Sequence, residues 1–168
     1  MIRLRDRSIL AATAVAVAVA TAGCNDHATG PGDPTWGRLV TQDVLSIQEA
    51  YSGYVEPRLA IITNEQEWAV AWATIHAPLT PTPPLPEIDF STSVVVLAAM
   101  GARPTGGYSI TIEEVRAQDG MLHVQVVQKA PGASCVTTQA ITAPVHVVQA
   151  PRAGTTATFS IRSETYGC

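Results

Sequence analysis

Residues 93–127, SVVVLAAMGARPTGGYSITIEEVRAQDGMLHVQVV, decide the fold class. The run 94–100 is apolar at every position, which suits a central strand covered on both faces. A bend follows at 101–107, built from a rigid Pro104, the hydroxyl of Thr105, and Gly106 and Gly107. Beyond it Tyr108, Ile110 and Ile112 alternate with Ser109, Thr111 and Glu113, the pattern of a half-buried strand. Asp119-Gly120 is a favoured two-residue hairpin turn. Leu122, Val124 and Val126 then alternate with His123 and Gln125. Strand, bend, strand, hairpin and strand in this order predict a largely antiparallel sheet.

Working outward, PVHVVQAP at 144–151 and TATFSIRS at 156–163 predict two more strands, joined by a short loop around Pro151 to Gly154. Upstream, PLTPTPPLPEIDF at 78–90 holds Pro78, Pro81, Pro83, Pro84 and Pro86. It reads as a stiff, extended crossover, partly polyproline II. Such a run can also serve proline-reading modules, but those are mostly intracellular. Before it, 59–63 is a short β-rich run. Asn64 then offers a helix N-cap with Glu67 as its capping partner. Trp68, Ala71, Trp72 and Ile75 fall on one apolar stripe, which is read as core in preference to a ligand box. The helix is expected to end near His76, because Pro78 cannot continue it. Residues 37–57 read as strand and turn. The class is therefore α+β, a largely antiparallel β-sheet of about five or six strands with one main amphipathic helix.

The 168 residues suffice for one ordinary domain, and 46% hydrophobic against 14% charged predicts a packed core. The formal charge of −4 conceals a basic start, since Arg3, Arg5 and Arg7 accompany only Asp6 within residues 1–23. The remainder is acidic, and Lys129 is its single lysine. Nucleic-acid binding needs clustered cations, so that class is excluded. After the basic start, 9–22 runs without a charge, spanning roughly 20 Å as a helix, short of a bilayer core of about 30 Å. This reads as a secretory signal. Its end, TAGC at 21–24, resembles the lipobox of bacterial lipoproteins, with Thr21 where that pattern commonly has leucine. The resemblance implies lipidation of Cys24 after removal of 1–23, and hence a membrane contact through an N-terminal lipid. The alternative is an ordinary signal peptide cut near Ala22. Residues 24–36 then form a Gly/Pro-rich tether, Trp36 marks the start of ordered structure, and 37–168 form the domain. Of the two other cysteines, Cys135 and Cys168, a disulfide is the simplest use outside the cytoplasm. A reactive thiol or a metal ligand is the alternative, and neither has a nearby Cys or His at ligand spacing.

Chemistry-bearing motifs are absent: no nucleophile elbow, no HExxH, no P-loop, no dinucleotide fingerprint. His27 lies in the tether and His76 at a helix end. His123 and His146, in predicted strands, are placed on a solvent face alternating with valines. None of the four is followed at i+2 to i+4 by another ligand type. Glu113 and Glu114 are adjacent, so one points to each face of a strand, unlike a paired-carboxylate site. Ser134 lacks a base. The expectation is a protein that is not an enzyme, with no cofactor and no metal.

The stretch 86–132, with 142–154, resembles the PrcB C-terminal domain. The likeness rests on Asp89-Phe90, Gly101, Pro104-Thr105-Gly106-Gly107-Tyr108, the hairpin, Pro131 and Pro144 leading into VHVVQAP. It covers about residues 59–153. It implies a non-catalytic partner of an envelope protein, one that stabilises or helps mature a secreted protease. The element PTGGY is also similar to the Pro-Thr-Thr-Gly-Tyr/Phe loop of chagasin-type cysteine-protease inhibitors, which insert it with two neighbouring loops into a protease cleft. Ser109 stands where those inhibitors usually carry tryptophan. Arg103, Pro104, Thr105, Gly106, Gly107 and Tyr108 are thus the candidate protein-binding residues. Proline limits the entropy lost on binding, and glycines admit close approach. The bland reading is a tight bend with Tyr108 facing the core beside Ile110. A third function class is a small-molecule or polysaccharide binder using Tyr51, Tyr54 and Tyr108. The sequence fixes no oligomeric state.

Overall fold

A computed structural model describes residues 37–38 and 45–168. The expected signal peptide, Cys24, the expected tether and Trp36 lie outside the described residues. In chain order the elements are β1 (Gly37–Arg38), β2 (Ser46–Glu49), β3 (Arg58–Ile62), α1 (Glu65–Ile75), β4 (Ser93–Ala99), β5 (Ser109–Gln118), β6 (Met121–Pro131), β7 (Val145–Pro151) and β8 (Ala157–Tyr166). The class is α+β, mostly antiparallel, with a single helix among the described residues. The strands divide between two four-stranded sheets, ordered β1-β5-β6-β8 and β2-β7-β4-β3.

The division follows from β4. Residues 94–99 are all buried, so both faces of this strand need cover. Val94, Val96, Ala98 and Met100 pack with Ile110, Ile112, Val115, Leu122, Val124 and Val126 of the other sheet. Val95, Leu97 and Ala99 face the opposite way and meet Trp68, Ala71, Trp72 and Ile75 of α1. The layers are therefore helix, sheet, sheet. At roughly 25 cal/mol per Å² of apolar area, these two clusters dominate the favourable side of folding.

α1 begins where the capping signal lies: Asn64 Oδ1 accepts the Glu67 N–H at 2.9 Å. Glu67 returns a bond to the N–H of Thr63 at 3.4 Å, one residue earlier than a standard capping box. The helix ends at His76, whose N–H still reaches Trp72 O at 3.1 Å. The proline run then passes beside it. Pro83 O accepts the Trp72 indole N–H at 2.8 Å and Pro86 O that of Trp68 at 3.0 Å. The Thr80-Pro81 bond is cis.

In the β5–β6 hairpin, Asp119 and Gly120 both take positive φ, 51° and 74°, as a type I′ turn requires. The pairing slips between Ile112 and Glu114, so Glu113 is the extra residue of a bulge. β7 and β8 are joined by a short loop, but they enter different sheets. β7 lies between β2 and β4, whereas β8 pairs with β6 in parallel, the exception to the antiparallel pattern.

One placement differs from expectation. His146 is buried, 6% exposed, not on a solvent face. β7, like β4, is covered on both sides: Val145 and Val147 pack toward α1, Val148 and Ala150 toward the second sheet. A residue in such a strand has no wet face to occupy.

Candidate functional site

The 101–108 segment leaves β4 and returns as β5 at one end of the sandwich. Every turn of it is fixed. Gly101 has φ +78° and passes so close to Pro57 that a Cβ would lie 2.9 Å from its ring. Ala102 N–H bonds Val55 O at 2.9 Å. Arg103 and Thr142 exchange backbone bonds at 2.7 and 3.0 Å. The Thr142 hydroxyl donates to Thr105 O at 2.9 Å, and Gly106 N–H reaches Thr138 O at 2.9 Å. At Gly106 a Cβ would fall 2.2 Å from Thr138 Oγ1, so any side chain there would force the threonine hydroxyl to move. Gly107 has φ +87°, and its carbonyl accepts the Tyr166 hydroxyl at 2.8 Å.

The partner in most of these bonds is the 132–142 loop, which is itself pinned. A disulfide joins Cys135 to Cys168, with Cα atoms 5.1 Å apart. Gly132 N–H bonds Tyr166 O at 2.8 Å. A third loop, 50–57, joins through Ala143 N–H to Ala50 O at 2.9 Å and the Ser52 hydroxyl to Ala143 O at 2.7 Å. Three loops thus form one hydrogen-bonded cluster.

Within the candidate set the side chains part company. Pro104 and Gly107 are exposed, and Thr105 is half-buried. Tyr108 packs against the inter-sheet core, on the face of Ile110. Arg103 lies over its ring, 5.9 Å from the centroid, and donates to Met100 O at 2.8 Å. Tyr108 and Arg103 therefore serve the loop's own architecture, while Pro104 and Gly107 present its surface. Apart from Tyr51, the sequence did not single out what surrounds them. Val136 is fully exposed, Ile141 is 73% exposed, and Tyr51 and Val55 are exposed on the third loop. The signal for the first two was an isolated Val and Ile in the otherwise small and polar stretch GASCVTTQAIT, 132–142. Across the three loops only Glu56 and Arg103 carry charge. Exposed apolar side chains with few charges are the make-up of an interface core.

The three tyrosines of the small-molecule reading are not equivalent. Tyr51 is exposed, Tyr54 packs on the helix-side core and Tyr108 on the inter-sheet core. Among the described residues the histidines do not gather either. His123 sits on β6, whereas His146 bridges the sheets: its Nδ1 accepts the Ile112 N–H at 2.7 Å and its Nε2 lies 3.1 Å from Ser46 Oγ. That geometry fixes the tautomer with the proton on Nε2, donated to the serine. Burial holds the His146 pKa below the usual imidazole value. Among the described residues no three His, Cys, Asp or Glu side chains converge as a metal site would need.

The family model PrcB C-terminal matches residues 94–151. No curated protein and no solved structure matches the chain. The matched stretch runs from β4 through β7, so it contains the 101–108 loop and the 132–142 loop that clamps it.

Proposed function

Residues 94–151 belong to the PrcB C-terminal family, and on that premise we propose that the protein is a non-catalytic cell-envelope lipoprotein. In this reading it is held by lipid on Cys24 and binds another envelope protein, a secreted protease that it stabilises or helps mature, through the loop cluster. The supporting observation is the cluster itself: a pre-formed, bond-fixed 101–108 loop beside exposed Val136 and Ile141, with almost no charge. A surface ordered before contact loses little entropy on binding. The anchor is supported by TAGC at 21–24. Replacing Cys24 with Ala should move the chain from membrane to soluble fractions.

Crosslinking capture from envelope membranes tests the surface. Val136→Asp and Ile141→Asp place charge on the exposed face of the 132–142 loop without touching either core. They should each reduce recovery of the bound protein at least about tenfold, the loss typical of a hot-spot residue. Recovery equal to that of the parent chain in both variants would remove the loops from the account.

A second reading is favoured by the grouping of three loops: insertion into a protease cleft as an inhibitor, with Pro104 leading. Inhibition of a papain-like protease that Pro104→Ala weakens would select it. Capture without inhibition selects the stabiliser.

A further inference from the structure

The β3 edge and the helix beside it carry a surface that the loop reading leaves unused. β3 is the edge of its sheet, and among the described residues it pairs with β4 alone. An open edge offers a row of unpaired N–H and C=O groups, and soluble proteins usually guard it with lysine, proline or a bulge. β3, RLAII, carries one charge, Arg58 at its first position, and no charge, proline or bulge within the strand after it. The other sheet's long edge, β8, differs: Arg162 and Glu164 stand on it in ion pairs with Glu113 and Lys129.

α1 follows β3 after two residues and runs back beside it, leaving a groove of about 440 Å³ between helix and strand. Val70, 65% exposed, stands on the helix wall at mid-length. The ends of the groove are opposite in charge. Glu67 is near the end of β3, where its carboxylate meets Thr63 N–H. Exposed Arg58 opens β3 at the other end, beside Tyr54 and Thr74.

This charge order is self-complementary. A strand laid antiparallel to β3 would need a base at its amino end, facing Glu67, and acids beyond its carboxyl end, facing Arg58. β3 of another molecule has that order, with Arg58 first and Glu65 and Glu67 after it. We propose that β3 pairs antiparallel with β3 of a second copy about a two-fold axis. Ala60 lies opposite Ala60, each Arg58 meets the other copy's Glu67, and the two Val70 side chains close over the seam. The two sheets become one continuous sheet, with both helices on the same side. An isologous contact of this kind uses one patch twice and closes without further growth.

Sedimentation equilibrium of the full chain, in density-matched detergent, tests this. The parent chain is expected to dimerise reversibly in the micromolar range. Arg58→Glu should weaken the dimer at least tenfold, and Arg58→Glu with Glu67→Arg should restore most of the loss. Val70→Glu, which favours helix more than valine does, should weaken it similarly by placing like charges at the seam. Hydrogen exchange should slow at 59–62 in the dimer. Val136→Asp should leave the dimer unchanged, which separates this test from that of the loop surface. A chain that stays monomeric at high concentration overturns the proposal. So does a dimer indifferent to both Arg58→Glu and Val70→Glu, or one without protection at 59–62. Protection of that edge by a foreign extended peptide, with no self-association, assigns the groove to another protein and equally overturns it.

Discussion

Two residues show how little freedom the loop end and the sheet interface have. Gly107 combines φ +87° with neighbours that leave no space: a Cβ would lie 2.8 Å from Tyr166 Oη and 3.3 Å from Pro131 and Thr137. Gly107→Ala is therefore expected to destabilise the domain by about 1–3 kcal/mol, read as a lower urea midpoint. His146 is the second. Its neutral ring is the acceptor for the Ile112 N–H at the β5 bulge. Protonation of Nδ1 would replace that acceptor with a donor. Its pKa is depressed from the ordinary 6.5, chiefly by burial. The unfolded chain therefore binds the proton more readily than the folded one. The ring's contribution is complete above pH 6.5 and declines as pH falls below that value toward the folded pKa. Urea midpoints should be flat just above neutrality and begin to fall as pH drops below about 6.5. His146→Gln should remove most of that slope. The histidine was misplaced from sequence because alternation with valines looks like a wet face. The stronger sign was PVHVVQAP itself, an apolar run that only His146 and Gln149 interrupt.

At the scale of elements, local signals carried far. Asn64 and Glu67 set the start of α1, its tryptophan stripe became core, and Asp119-Gly120 turned the hairpin. These were legible because each depends on residues a few positions apart. The role of the proline run was not. Proline lacks an N–H, so its neighbours' carbonyls often go unmatched in regular structure, and here Pro83 and Pro86 use theirs to receive two buried indoles. Such pairing over 11 and 18 residues leaves no periodic trace. Trp72→Phe keeps an aromatic ring but deletes the donor and some volume. It is expected to cost about 1–3 kcal/mol, with an unchanged denaturant slope if the strap remains in place. Added accessibility of 78–86 to limited proteolysis would show that the indole bond holds the strap.

At the scale of the molecule, periodicity tells which face a residue takes but not which strand lies beside it. One sheet was therefore expected where two are present, and the parallel β6–β8 pair was invisible. The candidate site was legible only in its first loop. Its clamp comes from residues over 30 positions away, through Thr138, Thr142 and Tyr166. The Cys135–Cys168 bridge closes a separation of 33 residues, for which chain entropy allows about 3–4 kcal/mol. Cys135→Ser with Cys168→Ser should lower stability by up to that amount, and should loosen the 132–142 loop more than either core. Amide exchange along the chain would show the difference.

The claim on which the functional account turns is that the three-loop end is the contact surface. Hydrogen exchange of the chain alone and bound to the protein captured from the envelope tests it most directly. The account predicts slowed exchange at 101–108 and 132–142, with the outer face of the β5-β6-β8 sheet unchanged. Slowing confined to that outer face, with both loops exchanging as in the free chain, would contradict it.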